Sequence, residues 1–166
     1  MKVQVPVAKN QEYQVKITDL TYEGMGVAKI DDFPIFINGA LPNEEAIIKV
    51  IKVKKSYAYA RVDKLLQKSS DRVELVDNTY TQTGIAPLQY LSYPAQLKFK
   101  QHQIQTDFAK IKLNVEVAPT LGMEHPTGYR NKAQIPVRMV KGKLETGFYR
   151  RHSHELIPIE DFYIQD

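Results

Sequence analysis

The chain has 166 residues, of which 43% are hydrophobic and 25% charged, an ordinary composition for a globular protein with its own core. It contains no cysteine, which excludes disulfides, thiolate metal sites and a cysteine nucleophile within these residues. No apolar run approaches the ~18 residues that a membrane helix needs, and Met1–Gln4 lacks the apolar stretch of a secretion signal. We therefore expect a cytoplasmic protein with no membrane partner.

The length allows one large or two small domains, and we favour two, residues 1–66 and 67–166. The first is predicted to consist of five short strands, because apolar and polar residues alternate and turn formers separate the runs. Gly24 and Gly26 can take a positive φ and so permit a tight corner, and Asp31-Asp32 makes a turn. Such strands favour a closed or partly open barrel of the oligonucleotide-binding kind. The predicted strands cover 13–19, 27–30, 34–37, 45–53 and 57–64.

The segment that joins the fourth predicted strand to the fifth, residues 52–61, is basic and rich in tyrosine. Alternation places Tyr57, Tyr59 and Arg61 on one face and Ala58 and Ala60 on the other. Lysines offer charge to phosphates, and tyrosine rings offer faces on which unpaired bases stack. Packing of the same rings at the barrel rim is the alternative. The candidate RNA-binding residues of the barrel are Lys54, Lys55, Tyr57 and Tyr59, with Lys52 and Arg61 beside them.

The second domain is predicted to be α+β, which makes the whole chain mainly β. Ser92-Tyr93-Pro94 opens a helix, since proline is tolerated in a first turn. Runs 129–140 and 143–151 alternate as strands around a Lys141-Gly142 hairpin turn, and Pro136 indicates an edge position. One face of the helix is apolar and is expected to pack in the core: Leu97, Ile104, Phe108 and Ile111.

Positive charge is concentrated in this hairpin. Residues 129–152 hold seven lysines and arginines against one glutamate. A strip of this kind attracts a phosphate backbone, although a solvated face of an ordinary hairpin would show the same pattern. The candidate RNA-binding residues here are Arg130, Lys132, Arg138, Lys143, Arg150 and Arg151.

The sequence predicts no catalytic, cofactor-binding or metal-ligating residue. His152-x-His154 has no evident third metal ligand, and Ser153 and His154 point to opposite faces of a strand. Asp31-Asp32 and Glu44-Glu45 are interpreted as turn and solvent residues. There is also no glycine-rich strand-to-helix fingerprint for S-adenosylmethionine or a nucleotide.

Several motifs carry a family resemblance. Gly24-x-Gly26-Val27-Ala28, Phe36, Gly39–Pro42 and Lys54-Lys55-x-Tyr57-Ala58-x-Ala60 resemble the TRAM domain, a small RNA-binding barrel of RNA-modifying enzymes. Later elements are similar to bacterial RNA uracil-5-methyltransferases of the 23S rRNA type. These elements are Leu88–Lys100, Gly128–Ala133, Gly147-Phe148-Tyr149 and Ser153-His154.

The sequence departs from that family at one set of positions. Many members carry Cys-x5-Cys-Gly-Gly-Cys and a later fourth cysteine, which together hold a [4Fe–4S] cluster. The matching positions here cannot supply thiolates, so we expect no cluster and local apolar packing in its place. Those positions are Asp77, Thr83, Ala86 and Phe162.

The resemblance also implies a function. In the family, a downstream domain binds S-adenosylmethionine, and its cysteine adds to uracil C6. We expect this chain, not itself an enzyme, to bind structured RNA, with ribosomal RNA the expected partner. It would present a uridine to a catalytic domain absent from these 166 residues. The alternatives are a stand-alone RNA- or ribosome-binding module and a protein-interaction barrel with an acidic partner.

Overall fold

The computed structural model of the chain describes residues 5–75, 79–151 and 153–165. The chain forms two compact units, divided after Glu74. None of the helices in these ranges is long and apolar enough to cross a membrane.

From residue 5 onward, the first unit forms a β-sheet of six strand segments. Their order in the sheet is β1-β5-β6-β4-β3-β2, with β4 and β6 parallel and every other pair antiparallel. The segments are β1 (Glu12–Lys16), β2 (Asp19–Leu20), β3 (Gly26–Ile30), β4 (Phe33–Asn38), β5 (Glu45–Val53) and β6 (Ala58–Gln67).

The two ends of this sheet are joined by one bent strand. Segments β1 and β2 are separated only by Ile17 and Thr18. The Ile17 N–H donates to the Glu44 carbonyl oxygen at 2.9 Å, and the Thr18 N–H donates to the Val27 carbonyl oxygen at 2.9 Å. The strand therefore changes partner from β5 to β3 as it bends, which closes the sheet and removes its open edges. The predicted five-stranded barrel is confirmed, with β1 and β2 as its first strand.

The barrel interior is filled by branched aliphatic side chains. Ile17, Ile35, Ile37, Ile48 and Val50 are completely buried. Full burial of one such side chain is worth about 1.5–3 kcal/mol. The predicted inward direction of Ala58 and Ala60 is confirmed, since both are also completely buried.

The two glycines of the first corner act in different ways. Gly24 has φ of 79° and donates to the Thr21 carbonyl oxygen, as predicted for a tight turn. Gly26 is regular strand, so its predicted positive φ is wrong. Position 26 requires glycine for a steric reason, because the Cβ of any other residue would lie 2.8 Å from the Ala40 carbonyl oxygen. The predicted Asp31-Asp32 turn is confirmed, with φ of 49° and 61°.

Glu44 is buried, and its interpretation as a solvent residue is wrong. Its carboxylate accepts a hydrogen bond from Arg72 Nη2 at 2.8 Å and another from the Leu41 N–H at 2.8 Å. Burial opposes ionisation of Glu44, but the Arg72 and Leu41 hydrogen bonds outweigh it and lower the pKa of the carboxyl group. The ion pair fastens the segment after β6 to the loop before β5.

Within residues 79–151 and 153–165, the second unit combines two helices with a three-stranded antiparallel sheet, in the order β7-β8-β9. Lys141 and Gly142, with φ of 49° and 82°, form the predicted hairpin turn between β7 and β8. Pro136 directly precedes β7, which is an edge strand, as predicted. The elements are α1 (Thr79–Thr83), α2 (Tyr93–Lys110), β7 (Val137–Val140), β8 (Lys143–Tyr149) and β9 (Leu156–Pro158).

Two predictions for this unit are wrong in part. Within the described range 79–151, the strand expected from residue 129 begins only at Val137. Before it, Arg130 forms an isolated parallel bridge with Gln165. Of α2, which lies wholly within the described ranges, only Ala95 is buried; Ile104 is 50% exposed, and Ile111, directly after the helix, is 65% exposed. The predicted helix is therefore present, but only its first turn packs closely against the rest of the unit.

Candidate nucleic-acid interface

Three aromatic rings form a cluster on the outside of the barrel. Phe36 lies on β4, Tyr59 on β6, and Tyr57 just before β6. Their ring centroids are 5.6 Å apart for Phe36–Tyr57, 6.0 Å for Phe36–Tyr59 and 5.4 Å for Tyr57–Tyr59. None of the three side chains is buried in the core. We call Phe36, Tyr57 and Tyr59 the ring cluster.

Strand register explains why these rings meet. Phe36 and Tyr59 are direct partners in the parallel β4–β6 pair, and residues opposite each other share a face of the sheet. Because side chains alternate along β6, burying Ala58 and Ala60 turns Tyr59 outward. Phe36 belongs to the TRAM-like sequence motif but is not among the site residues predicted from sequence. The signal for it is its outward position between the buried Ile35 and Ile37.

Cationic side chains surround the ring cluster. Lys52 is the partner of Tyr59 across the β5–β6 pair, and Arg61 follows Tyr59 on the same face. Lys54 and Lys55 lie in the β5–β6 turn, which closes through a 2.8 Å hydrogen bond from the Lys54 N–H to the Tyr57 carbonyl oxygen. All four cations are exposed. The arrangement offers flat faces for bases with charge at their edge for phosphates.

The Tyr59 hydroxyl of the ring cluster stays protonated at physiological pH. A hydrogen bond with the Tyr57 hydroxyl raises the pKa of Tyr59, and the negative charge of Glu23 adds to the effect. Since an ordinary tyrosine already titrates near 10, the raised value keeps the hydroxyl protonated. The hydroxyl therefore brings no negative charge towards a phosphate.

The cations of the second unit fall into separate groups. Arg138 and Lys143 lie on one face of the β7–β8 hairpin. Arg138 Nε donates to the Tyr149 hydroxyl at 3.1 Å, and its guanidinium carbon lies 5.7 Å from the centre of that ring. Arg130 and Lys132 are exposed on the loop before β7.

The last two predicted cations already have protein partners. Arg150 Nε forms an ion pair with Glu155 at 2.7 Å, and this partner lowers the pKa of the glutamate. The Arg151 side chain packs beside Gly84, and its backbone N–H donates to the Gln82 carbonyl oxygen. The six predicted residues therefore do not form one continuous strip of free charge.

Two positions matched to cluster cysteines line one cavity of the second unit. Ala86 and Phe162 both face it, and Phe162 packs edge-on against Phe148 at 5.7 Å between ring centroids. Thr83 is buried in α1, and its hydroxyl donates to the Tyr80 carbonyl oxygen. Asp77 lies outside the described residues, as does His152.

These residues do not fit an iron–sulfur cluster. The chain has no cysteine to bind the iron, and apolar and aromatic side chains line the cavity at two of the matched positions. Within residues 5–75, 79–151 and 153–165, no group of three or more histidine, cysteine or acidic side chains is placed to hold a metal ion.

Comparison with known families identifies the domain family of the barrel. Residues 6–62 match the model of the TRAM domain, a range that includes the ring cluster, Lys54 and Lys55. The barrel is a TRAM domain. Its recognition from sequence is therefore confirmed, as is its barrel-type fold.

The whole chain is similar to proteins named as RNA methyltransferases. It is 58% identical over its full length to an uncharacterized RNA methyltransferase of Lactiplantibacillus plantarum, and 52% identical over 97% of its length to one of Enterococcus faecalis. It spans 36% of the length of each of these relatives. Similarity thus continues through the second unit, well beyond the TRAM domain.

A solved structure shares the fold of nearly the whole chain. The tRNA (uracil-54, C5)-methyltransferase of Pyrococcus abyssi, solved in complex with S-adenosyl-L-homocysteine, matches with a TM-score of 0.58 and 23% identity. The match covers 91% of this chain and 32% of that protein. At 23% identity, this match shows similarity of fold only.

Proposed function

We propose that this chain is the RNA-recognition part of an S-adenosylmethionine-dependent RNA uracil-5-methyltransferase. In this proposal, it works in the cytoplasm on structured RNA, with 23S rRNA as the leading substrate. The TRAM domain, predicted over residues 1–66, binds the RNA. The central domain, predicted over residues 67–166, helps to present a uridine to a catalytic domain in the rest of the protein.

The observation that carries the proposal is the ring cluster with its surrounding cations. Bases of an unpaired strand stack on Phe36, Tyr57 and Tyr59, each stack contributing about 1–3 kcal/mol. The phosphates of the same strand lie against Lys52, Lys54, Lys55 and Arg61. Because stacking accepts any base, this surface supplies affinity, and the catalytic domain supplies the choice of uridine.

The hairpin cations of the second unit provide a separate RNA contact in the proposal. Arg130, Lys132, Arg138 and Lys143 are exposed and offer charge to a second stretch of RNA backbone. Arg150 contributes less because its charge is paired with Glu155, and Arg151 because its side chain packs beside Gly84.

The relatives support the reaction assigned to the whole protein. Their names state RNA methyltransferase, and the chain spans 36% of their length. The structural neighbour is named for methylation of a uracil at C5 in tRNA. We assign binding of S-adenosylmethionine and attack on the base to the rest of the protein, because this chain spans only 36% of the length of its relatives.

The proposal is tested by measuring which polyanion the chain prefers. Fluorescence anisotropy would give its affinity for a labelled fragment of 23S rRNA, for tRNA and for duplex RNA, with unlabelled heparin as competitor. We expect RNA with unpaired bases to bind more tightly than a duplex and to resist heparin, because heparin has charge but no bases to stack. Equal competition by heparin would instead indicate a general polyanion site and contradict the proposal.

A further inference from the structure

A second aromatic site lies inside the second unit. The cavity that Ala86 faces has a volume of about 90 Å³ and opens to solvent. Four rings and two polar side chains contribute to its wall, namely Tyr80, Phe148, Phe162, Tyr163, Arg130 and Gln165.

The rings form two edge-to-face pairs that hold one another in place. Tyr80 and Tyr163 have centroids 5.2 Å apart with planes at 72°, and Phe148 and Phe162 are 5.7 Å apart at 70°. In this geometry each ring is fixed by a neighbour, so the walls are preorganised. A flat aromatic ligand would find apolar surface already in place.

The polar end of the cavity has an acceptor without a donor. The buried Oε1 of Gln165 has no hydrogen-bond partner among residues 5–75, 79–151 and 153–165. A buried acceptor left in this state is destabilising, so a ligand N–H that donates to it would remove that penalty. All four RNA bases carry an N–H donor on their pairing edge.

Backbone hydrogen bonds fix this end of the cavity and place a cation beside it. The Arg130 N–H donates to the Ile164 carbonyl oxygen at 2.9 Å, and the Gly128 N–H donates to the Tyr163 carbonyl oxygen at 3.0 Å. Arg130 is also the bridge partner of Gln165. Arg130 is exposed and lines the cavity, so its guanidinium can bind the phosphate of a strand whose base has entered.

We propose that this cavity binds one unpaired base of the RNA, with the base between the aromatic walls and its N–H on Gln165 Oε1. The inference rests on the proposed RNA-binding function and adds a base-binding site to it.

Nuclear magnetic resonance can observe the two sites separately. The ¹⁵N-labelled chain would be titrated with an oligouridylate of about eight nucleotides, a length within the range that small barrels bind. The matched control is an abasic ribose-phosphate oligomer of the same length and charge. The amide signals of Ile164 and Gln165 report on the cavity, and those of Tyr57 and Tyr59 report on the ring cluster.

We expect both sets of signals to shift with oligouridylate, and the cavity set to remain unchanged with the abasic oligomer. Shifts at the ring cluster alone would overturn the cavity proposal and leave the proposed function standing. Shifts at the cavity alone would contradict the ring-cluster interface but support the cavity. No shift at either, or equal cavity shifts with the abasic oligomer, would overturn base binding in the cavity.

Filling the cavity provides the second test. Ala86→Phe places a ring in the space without removing a wall, and Ala86→Val is the milder change should the larger one disturb folding. We expect the cavity signals to report an affinity at least about fivefold weaker, while the shifts at Tyr57 and Tyr59 persist. Unchanged cavity affinity in a folded variant would overturn the proposal.

Discussion

Phe36 and Tyr59 stand directly opposite each other on the parallel strands β4 and β6, with ring centroids 6.0 Å apart. They come from positions 23 residues apart in sequence, and the parallel pairing of β4 with β6 brings them together. Tyr57 completes the cluster at 5.6 Å from Phe36. The pairing of these two residues across β4 and β6 therefore places the rings of the proposed stacking surface side by side.

Removal of the Phe36 ring is predicted to weaken RNA binding. Loss of one stacked base costs about 1–3 kcal/mol, so Phe36→Ala should bind an unpaired RNA roughly 5- to 150-fold more weakly in fluorescence anisotropy. The matched control is Tyr22→Ala, since Tyr22 is 78% exposed and lies outside the ring cluster. Equal losses in the two variants would contradict a specific role for the cluster.

The hairpin cations are predicted to act through charge. For single-stranded RNA, each cation that no longer neutralises a phosphate should reduce the slope of log affinity against log salt by about 0.7. Arg130→Ala with Lys132→Ala should therefore flatten that slope measurably, whereas Lys98→Ala, a lysine on the surface of α2, should not. An unchanged slope and affinity in the double variant would remove these two residues from the interface.

The buried ion pair of the first unit is predicted to stabilise the barrel. Glu44→Gln leaves the Arg72 guanidinium, whose side chain is 7% exposed, without its counter-charge. Breaking one partner of a buried pair costs about 3–5 kcal/mol, which urea denaturation would measure as a lower midpoint. Glu45→Gln, at the neighbouring half-exposed position, is the control and should change stability little.

The same pair should also give the barrel a pH dependence. The pKa of Glu44 is lowered in the folded state, below its ordinary value of 4.5. Its contribution is therefore complete above that value and is lost as pH falls through the lowered folded pKa. The stability difference between wild type and Glu44→Gln should be largest near neutral pH and shrink on acidification below about 4. A difference that grows in acid would contradict this assignment.

Local patterns in the sequence were sufficient to predict the strands of the barrel. Period-two alternation placed the strands, and the small size of Ala58 and Ala60 correctly indicated their inward direction, which in turn set Tyr59 outward. Phe36 could be placed on the outer face by the same rule. Its contact with Tyr57 and Tyr59 could not, because it depends on the parallel pairing of β4 with β6.

The errors came from contacts between distant segments. Glu44 looked like a loop carboxylate, and its burial depends on Arg72, 28 residues further along the chain. The apolar spacing of α2 is genuine, yet spacing does not say how much of a helix has neighbours. Similarly, residues before Val137 alternate like a strand, but Arg130 pairs across to Gln165 near the far end of the chain.

The most direct test of the central claim is the RNA affinity of a Tyr57→Ala, Tyr59→Ala double variant, measured beside wild type over the same series of salt concentrations. If unpaired RNA stacks on the ring cluster, the double variant should bind at least about tenfold more weakly while keeping its salt slope, because no cation has been removed. A folded double variant that binds RNA as tightly as wild type would contradict the account.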